Sequence, residues 1–207
     1  MSLQVAGFPV GPLQANCYIL SDDALGAACV VVDPGGEGER IVEVLGQQGL
    51  RCTQIWITHA HLDHVGGVAV LKRAFPAAPI RLHVDDFPLW ERASQQGRAW
   101  GIEIEQPPLV DLSWVDGDTV DFGEHRFTVH HLPGHAPGHV ALVGRDDAFV
   151  GDVIFRGSIG RTDLPGSNPT LMQHSLQRIA NWPTTLTLYP GHGPISTVGR
   201  ELRENPF

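Results

Sequence analysis

Lysine is almost missing from this 207-residue chain: of its 14 basic side chains thirteen are arginine, and the lone lysine is Lys72. The basic residues form no cluster and the formal net charge is −9, so no basic row is available to neutralise a line of phosphates. That argues against a nucleic-acid substrate. Long hydrophobic runs are missing too, since no window approaches the roughly 18 apolar residues of a membrane helix. The opening MSLQVAGFPV lacks a basic stretch followed by an apolar one. A soluble, cytoplasmic protein with no membrane partner is expected. Cysteine is scarce. Cys17, Cys29 and Cys52 are odd in number and lack CxxC spacing, and two of them fall in apolar strand-like runs. They read as reduced structural thiols rather than a disulfide framework. Internal repeats, low-complexity segments and linker-like tracts are also absent.

What the chain does have is 42% hydrophobic residues, punctuated by 24 Gly and 16 Pro. That is enough to bury a substantial core, and one domain over 1–207 is expected. Strand-like runs at Asn16 to Leu20, Ala27 to Val32 and Gln54 to Ile57 frame a predicted helix from Glu37 to Gln48, closed by Gly49. A second helix begins near Gly66 and stops at Pro76. A short strand at Ile80 to Leu82 and a helical stretch from Asp85 to about Trp100 follow. Strands then succeed one another at Thr119 to Phe122, Arg126 to Leu132, Val140 to Val143 and Ala148 to Val150. A helix from Pro169 to about Asn181 and a strand from Leu186 to Tyr189 close the pattern. This order predicts an α/β sandwich of two mixed sheets with helices outside.

The chemistry sits where apolar strands end. Gln54 to Ile57 runs into Thr58-His59-Ala60-His61-Leu62-Asp63-His64. If that segment is extended, period-two geometry sends His59, His61 and Asp63 to one side and His64 elsewhere. Three further strands run into Pro133-Gly134-His135, Gly151-Asp152 and Pro190-Gly191-His192. Gly and Pro let such loops turn sharply toward one sheet edge. The seven donors His59, His61, Asp63, His64, His135, Asp152 and His192 exceed one tetrahedral ion. They suit two ions roughly 3.5 to 4 Å apart. Asp152, with two carboxylate oxygens, is the expected bridge, with His59, His61 and His135 on one ion and Asp63, His64 and His192 on the other. A donor set without thiolate fits two divalent ions of zinc, iron or manganese. His139 is expected to orient a ligand or close a loop. His83, His125, His130, His131 and His174 are read as structural.

The run His59-Ala60-His61-Leu62-Asp63-His64 matches the HxHxDH signature of the metallo-β-lactamase superfamily, and His135, Asp152 and His192 match its later ligand positions. From Asp33-Pro34-Gly35 to Pro190-Gly191-His192-Gly193-Pro194 the sequence resembles that superfamily, which implies a four-layer αββα sandwich. Leu132-Pro133-Gly134-His135-Ala136-Pro137-Gly138-His139 and Gly151-Asp152-Val153-Ile154-Phe155 most resemble glyoxalase II enzymes, the hydroxyacylglutathione hydrolases, in their short bacterial form. The resemblance implies a binuclear metal-dependent thioester hydrolase, with zinc the expected metal and iron or manganese as alternatives. A hydroxide bridging the metals would attack the carbonyl of a small-molecule thioester while Asp63 holds it in line. Full-length glyoxalase II enzymes bind glutathione partly through a C-terminal helical extension, so the thiol carrier stays open. Arg161 is the expected contact for a substrate carboxylate. Arg156 to Asp163 also resembles the persulfide dioxygenases, mononuclear non-haem iron enzymes of the same fold, and these form the alternative. The common β-lactamase subclass has Cys where this chain has Asp152.

Overall fold

The computed structural model describes residues 3–207, arranged as two units. One holds the described residues up to Leu82 together with Phe87–Ser113; the other holds His83–Asp86 and Trp114–Phe207.

The first sheet runs in sequence order through β1 (Gln4–Val10), β2 (Ala15–Ser21), β3 (Ala28–Val32), β4 (Arg51–Trp56), β5 (Ile80–His83) and β6 (Leu112–Trp114). β1 and β2 form an antiparallel hairpin, whereas β3, β4 and β5 are mutually parallel. Parallel neighbours need a crossover. Helix α1 (Gly38–Gln47) supplies the first, while α2 (Leu62–Val65) and α3 (Val68–Ala74) supply the second. α1 buries Ile41 and Leu45. It ends in a Schellman turn, with Leu50 N–H donating to Leu45 O at 2.8 Å and Gly49 at φ 66°. The buried apolar core of this unit includes Val31, Leu45, Ile55, Ile57, Leu71 and Ile80.

The continuous helix expected from Asp85 to Trp100 is interrupted. A 3-10 turn at Val84–Asp86 leads into α4 (Phe87–Trp90) and then α5 (Ala93–Ala99). The reason is the carboxamide of Gln106. Its Nε2 donates to Trp90 O at 2.8 Å and its Oε1 accepts from Ser94 N–H at 3.2 Å, and these are the two groups an unbroken helix would join. A loop side chain wins over local propensity. Strand β1 lay outside the expected elements as well. It is an edge strand with Gly7 and Pro9, which edges tolerate. A Cβ at Gly7 would strike the Tyr18 ring at 2.6 Å.

The second unit carries β7 (Thr119–Phe122), β8 (His125–His131), β9 (Val140–Val143) and β10 (Asp147–Gly151). A small hairpin of β11 (Ile154–Phe155) and β12 (Ser158–Ile159) follows, then α6 (Pro169–Ala180), β13 (Thr187–Pro190), β14 (Ser196–Thr197) and α7 (Val198–Glu204). Its sheet has the order β14-β13-β10-β9-β8-β7. β10 and β13 are parallel and pair Gly151 with Pro190, so the loops bearing Asp152 and His192 leave the sheet side by side. Asn168 caps α6 by accepting from Thr170 and Leu171 N–H at 2.9 and 3.1 Å, with Pro169 in the first turn. The hairpin, β14 and α7 are additions to the sequence reading; the paired strands have only two residues each, too few for a periodicity signal. The two mixed sheets and the helices expected from the sequence are both present.

All three cysteines are buried free thiols. Burial pushes Cys29 up to about 12 and raises Cys17 and Cys52 as well, which suppresses the reactive thiolate. A thiol-specific chromogenic reagent is therefore expected to label none of the three in the native protein and all of them in denaturant. Fast labelling of a native thiol would refute this.

Candidate metal centre

In the first unit the site begins with the ends of two parallel strands. Val32 pairs with Trp56, so Asp33 and the segment leading to Thr58 leave the sheet together, tied by Asp33 N–H donating to Trp56 O at 2.9 Å. Asp33 takes a left-handed backbone (φ 48°), which only a tight turn requires of a non-glycine residue. Its buried carboxylate accepts from Thr58 N–H (2.8 Å) and Thr58 Oγ1–H (2.7 Å), and lies 3.0 Å from His64 Nδ1. Because the partner is a carboxylate, His64 Nδ1 carries the proton. Thr58 Oγ1 has given its hydrogen to Asp33, so it accepts from His59 Nδ1–H at 3.1 Å. Both imidazoles thus have Nδ1 committed as donor and Nε2 left with its lone pair, the tautomer a metal needs.

The rings of His59 and His61 stand 4.8 Å apart edge to face, and those of His59 and His64 stand 4.1 Å apart. Period-two alternation therefore does not extend through this segment. It stops at His61, which caps α2 with extended backbone, and Asp63 and His64 lie in the helical turn. The turn brings His64 back to His59 instead of sending it elsewhere. Asp63 Oδ2 lies 3.8 Å from His64 Nε2. A Cβ at Gly35 would overlap the Asp63 carbonyl oxygen, so only glycine permits the Asp33 loop to pack against this turn.

In the second unit Asp152 lies between two imidazoles. Its Oδ2 is 3.5 Å from His135 Nε2 and 3.5 Å from His192 Nε2. Ligand atoms bound at about 2.0–2.2 Å to a tetrahedral ion stand roughly 3.3–3.6 Å apart, so the spacing suits shared coordination. His135 Nδ1–H donates to Arg161 O at 2.9 Å, and Ser167 Oγ donates to His135 O at 2.9 Å; again Nε2 is the nitrogen left to ligate. His139 Nε2 accepts from Asp152 N–H at 2.9 Å, which pins the Asp152 loop from behind. Gly160 closes the other side, since a Cβ there would overlap the Asp152 carbonyl oxygen. His192 keeps 28% of its side chain exposed.

Donor chemistry in both units fits divalent zinc, iron or manganese: nitrogen and carboxylate donors and no thiolate, with His59, His64 and His135 each held through Nδ1 by a hydrogen bond. Arg161 is placed differently from a free guanidinium. Asp163 grips it at two points, 2.9 Å each, with the Arg161 side chain 57% exposed, while its backbone carbonyl holds His135. The sequence reading passed over Asp33, Thr58, Gly160 and Ser167 as parts of the site. Asp33-Pro34-Gly35 did carry a signal, because it repeats the apolar-strand-to-Gly/Pro-loop pattern of the ligand loops.

The family model described as the metallo-beta-lactamase superfamily matches residues 10–194. Hydroxyacylglutathione hydrolase GloC of Haemophilus influenzae is 35% identical over 204 residues, which is 96% of this chain and 95% of that protein. A crystal structure of TTHA1623 in a di-iron-bound form is similar with TM-score 0.91 and 44% identity, over 98% of this chain and 100% of that one. The BLEG-1 B3 metallo-beta-lactamase is similar with TM-score 0.91 and 35% identity, over 99% of each chain.

Outside the candidate ligand set, His83 and His131 stack at 4.0 Å with a 12° interplanar angle. Burial and then the neighbouring His131 hold His83 below the ordinary histidine value, against the pull of Asp85 and Asp116. The unfolded chain therefore takes up the proton more readily. The stability this represents is present above the ordinary value of about 6.5 and is lost as pH falls below it. Thermal melting of His83→Gln should decline less steeply than wild type between about pH 7 and about pH 5. Equal slopes would refute the assignment.

Proposed function

The chain belongs to the metallo-β-lactamase superfamily, and from that premise we propose a thioester hydrolase of the glyoxalase II type, converting an S-hydroxyacyl thiol to a hydroxy acid and a free thiol. The observation that carries the reading is the Asp152 carboxylate oxygen equidistant from His135 and His192. The similarity to hydroxyacylglutathione hydrolase GloC over nearly the full length of both chains supports the substrate class. In this reading residues 1–207 form one domain, since the family match at 10–194 runs across both units.

His59, His61 and His135 would hold one divalent ion and Asp63, His64 and His192 the other, with Asp152 shared. Zinc is the expected metal, and the di-iron form of TTHA1623 makes iron the first alternative to load. Bound there, the metals supply an acidified water and polarise the substrate carbonyl. The chain's own residues do the rest. Asp63 accepts a hydrogen bond from the attacking water and keeps it in line with the carbonyl carbon. Asp33, directly and through Thr58, holds His64 and His59 in the ligating tautomer, and His139 holds the Asp152 loop. Water adds across the C–S bond, its oxygen to carbon and its proton to the departing sulfur. A cytoplasmic location belongs to the same reading, because three unpaired thiols are what a reducing compartment maintains. No helix among the described residues is long and apolar enough to cross a membrane.

The deciding assay is loss of the S-lactoylglutathione thioester by protein loaded separately with zinc, iron and manganese. Asp152→Ala is expected to lose bound metal and at least about 100-fold in turnover. Unchanged metal content and turnover would reject the assignment. Oxygen uptake with a glutathione persulfide, and no thioester turnover with any metal, would replace it with the dioxygenase. Asp33→Ala should weaken metal retention about 10- to 100-fold in a chelator competition, and retention at the wild-type level would show that the tautomer-fixing role is wrong. Arg161→Ala should raise KM if the guanidinium meets the substrate carboxylate; an unchanged KM leaves Arg161 acting only through its carbonyl.

A further inference from the structure

The peptide between Asp152 and Arg161 leaves the site and returns to it. Asp152 starts it, the β11–β12 hairpin forms its outer reach with Ile154 paired to Ile159 and Phe155 to Ser158, and Gly160 and Arg161 end it against Asp152 and His135. The Phe155 ring also stands edge-on to His192 at 5.9 Å. The hairpin thus meets His192 directly, and the two residues that follow it meet Asp152 and His135.

Something must hold this hairpin in place, because strands of two residues have little stability alone. Apolar packing beneath it is incomplete. A cavity of about 140 Å³ lies there, lined by Ile154 and Ile159 from the hairpin, Leu176 and Ile179 from α6, and Val198 and Leu202 from α7. This open gap leaves fewer side-chain contacts to fix the hairpin's position. Polar bonds take over that task. Glu201, buried on α7, accepts from Gly157 N–H at the hairpin turn (2.8 Å) and from Asn205 Nδ2 (3.0 Å) with one oxygen, and pairs with Ser196 Oγ through the other. Asn205 Nδ2 also donates to Ser158 O at 3.0 Å and to Phe155 O at 3.3 Å.

We propose that Glu201 and Asn205 are positioning residues for the metal centre, setting the orientation of His135 and Asp152 through the β11–β12 hairpin. This rests on the reading that those two residues hold metal. Removing either brace leaves a donor or acceptor without its bond and frees the hairpin to shift. The His135 imidazole then loses the fixed carbonyl that sets its tautomer and aim. Groups that bond a ligand directly are worth about 10- to 100-fold in metal affinity, and a brace acting one step further out belongs at the lower end of that range.

Glutamine tests the hydrogen-bond pattern apart from charge. In Glu201→Gln the amide oxygen can keep the bonds from Gly157 and Asn205, while its NH2 donates to Ser196 Oγ, whose own hydrogen turns away. Metal affinity would be measured by chelator competition, and Gly157 and Ile159 amide exchange by NMR, in wild type, Glu201→Ala, Asn205→Ala, Glu201→Gln and the exposed-site control Arg203→Ala. The alanine variants of Glu201 and Asn205 should bind metal about 10-fold or more weakly and exchange faster in the hairpin. Glu201→Gln should recover most of both, and Arg203→Ala should match wild type. Wild-type affinity in both brace variants overturns the proposal, as does a Glu201→Gln as impaired as Glu201→Ala. If Glu201→Ala does not fold, Asn205→Ala decides alone. A wild type that retains no divalent metal overturns the functional reading instead, and hairpin exchange still tells whether the brace exists.

Discussion

An imidazole ligates a metal only through a nitrogen that carries no proton, so each ligand histidine needs an acceptor for its other nitrogen. The loops around the candidate site meet that requirement for three histidines. His64 uses the Asp33 carboxylate, His59 uses the Thr58 hydroxyl that Asp33 itself orients, and His135 uses the Arg161 carbonyl. One buried carboxylate thus sets two tautomers. Burying a charge costs several kcal/mol unless it is fully hydrogen-bonded, and three donors converge on Asp33 to meet that demand.

Close backbone approach is the second constraint. Gly35 lies against the Asp63 carbonyl and Gly160 against the Asp152 carbonyl, each where no side chain fits. These contacts pack one loop against the main chain of Asp63 and another against that of Asp152, which fixes where each candidate ligand's backbone lies. Parallel strand pairing does the coarser work. β3 beside β4, and β10 beside β13, deliver neighbouring loops at the same strand ends. The fold positions loops, and hydrogen bonds from residues outside the ligand set aim the side chains.

Much of the candidate site was legible in the chain because its residue types are rare in combination and its loops follow apolar strands. HxHxDH and three Gly- or Pro-flanked ligand loops announce themselves in one dimension. The strands and long helices were legible for the same reason, since α1 and α6 repeat apolar residues at helical spacing. What misled was local extrapolation. Period-two reasoning placed His64 away from His59, but a single helical turn at Leu62–Val65 brings their rings to 4.1 Å. Likewise the helix beyond Asp85 broke where Gln106, sixteen residues past Trp90, took the bonds that would have continued it.

The candidate donor set was therefore a property of the sequence by itself: the donor atoms, their order, and the absence of a thiolate among them. Tertiary structure decided which nitrogen of His59, His64 and His135 faces away from its hydrogen-bond partner and what pins the Asp152 loop. Those roles fall to residues with no motif of their own. Thr58, Ser167, Gly160, Glu201 and Asn205 are ordinary loop and helix residues in one dimension. Folding sets a hydroxyl, a carboxylate, an amide or an absent Cβ within 3 Å or so of Asp33, of a candidate ligand residue or of the hairpin, and no periodicity encodes contacts between residues far apart along the chain.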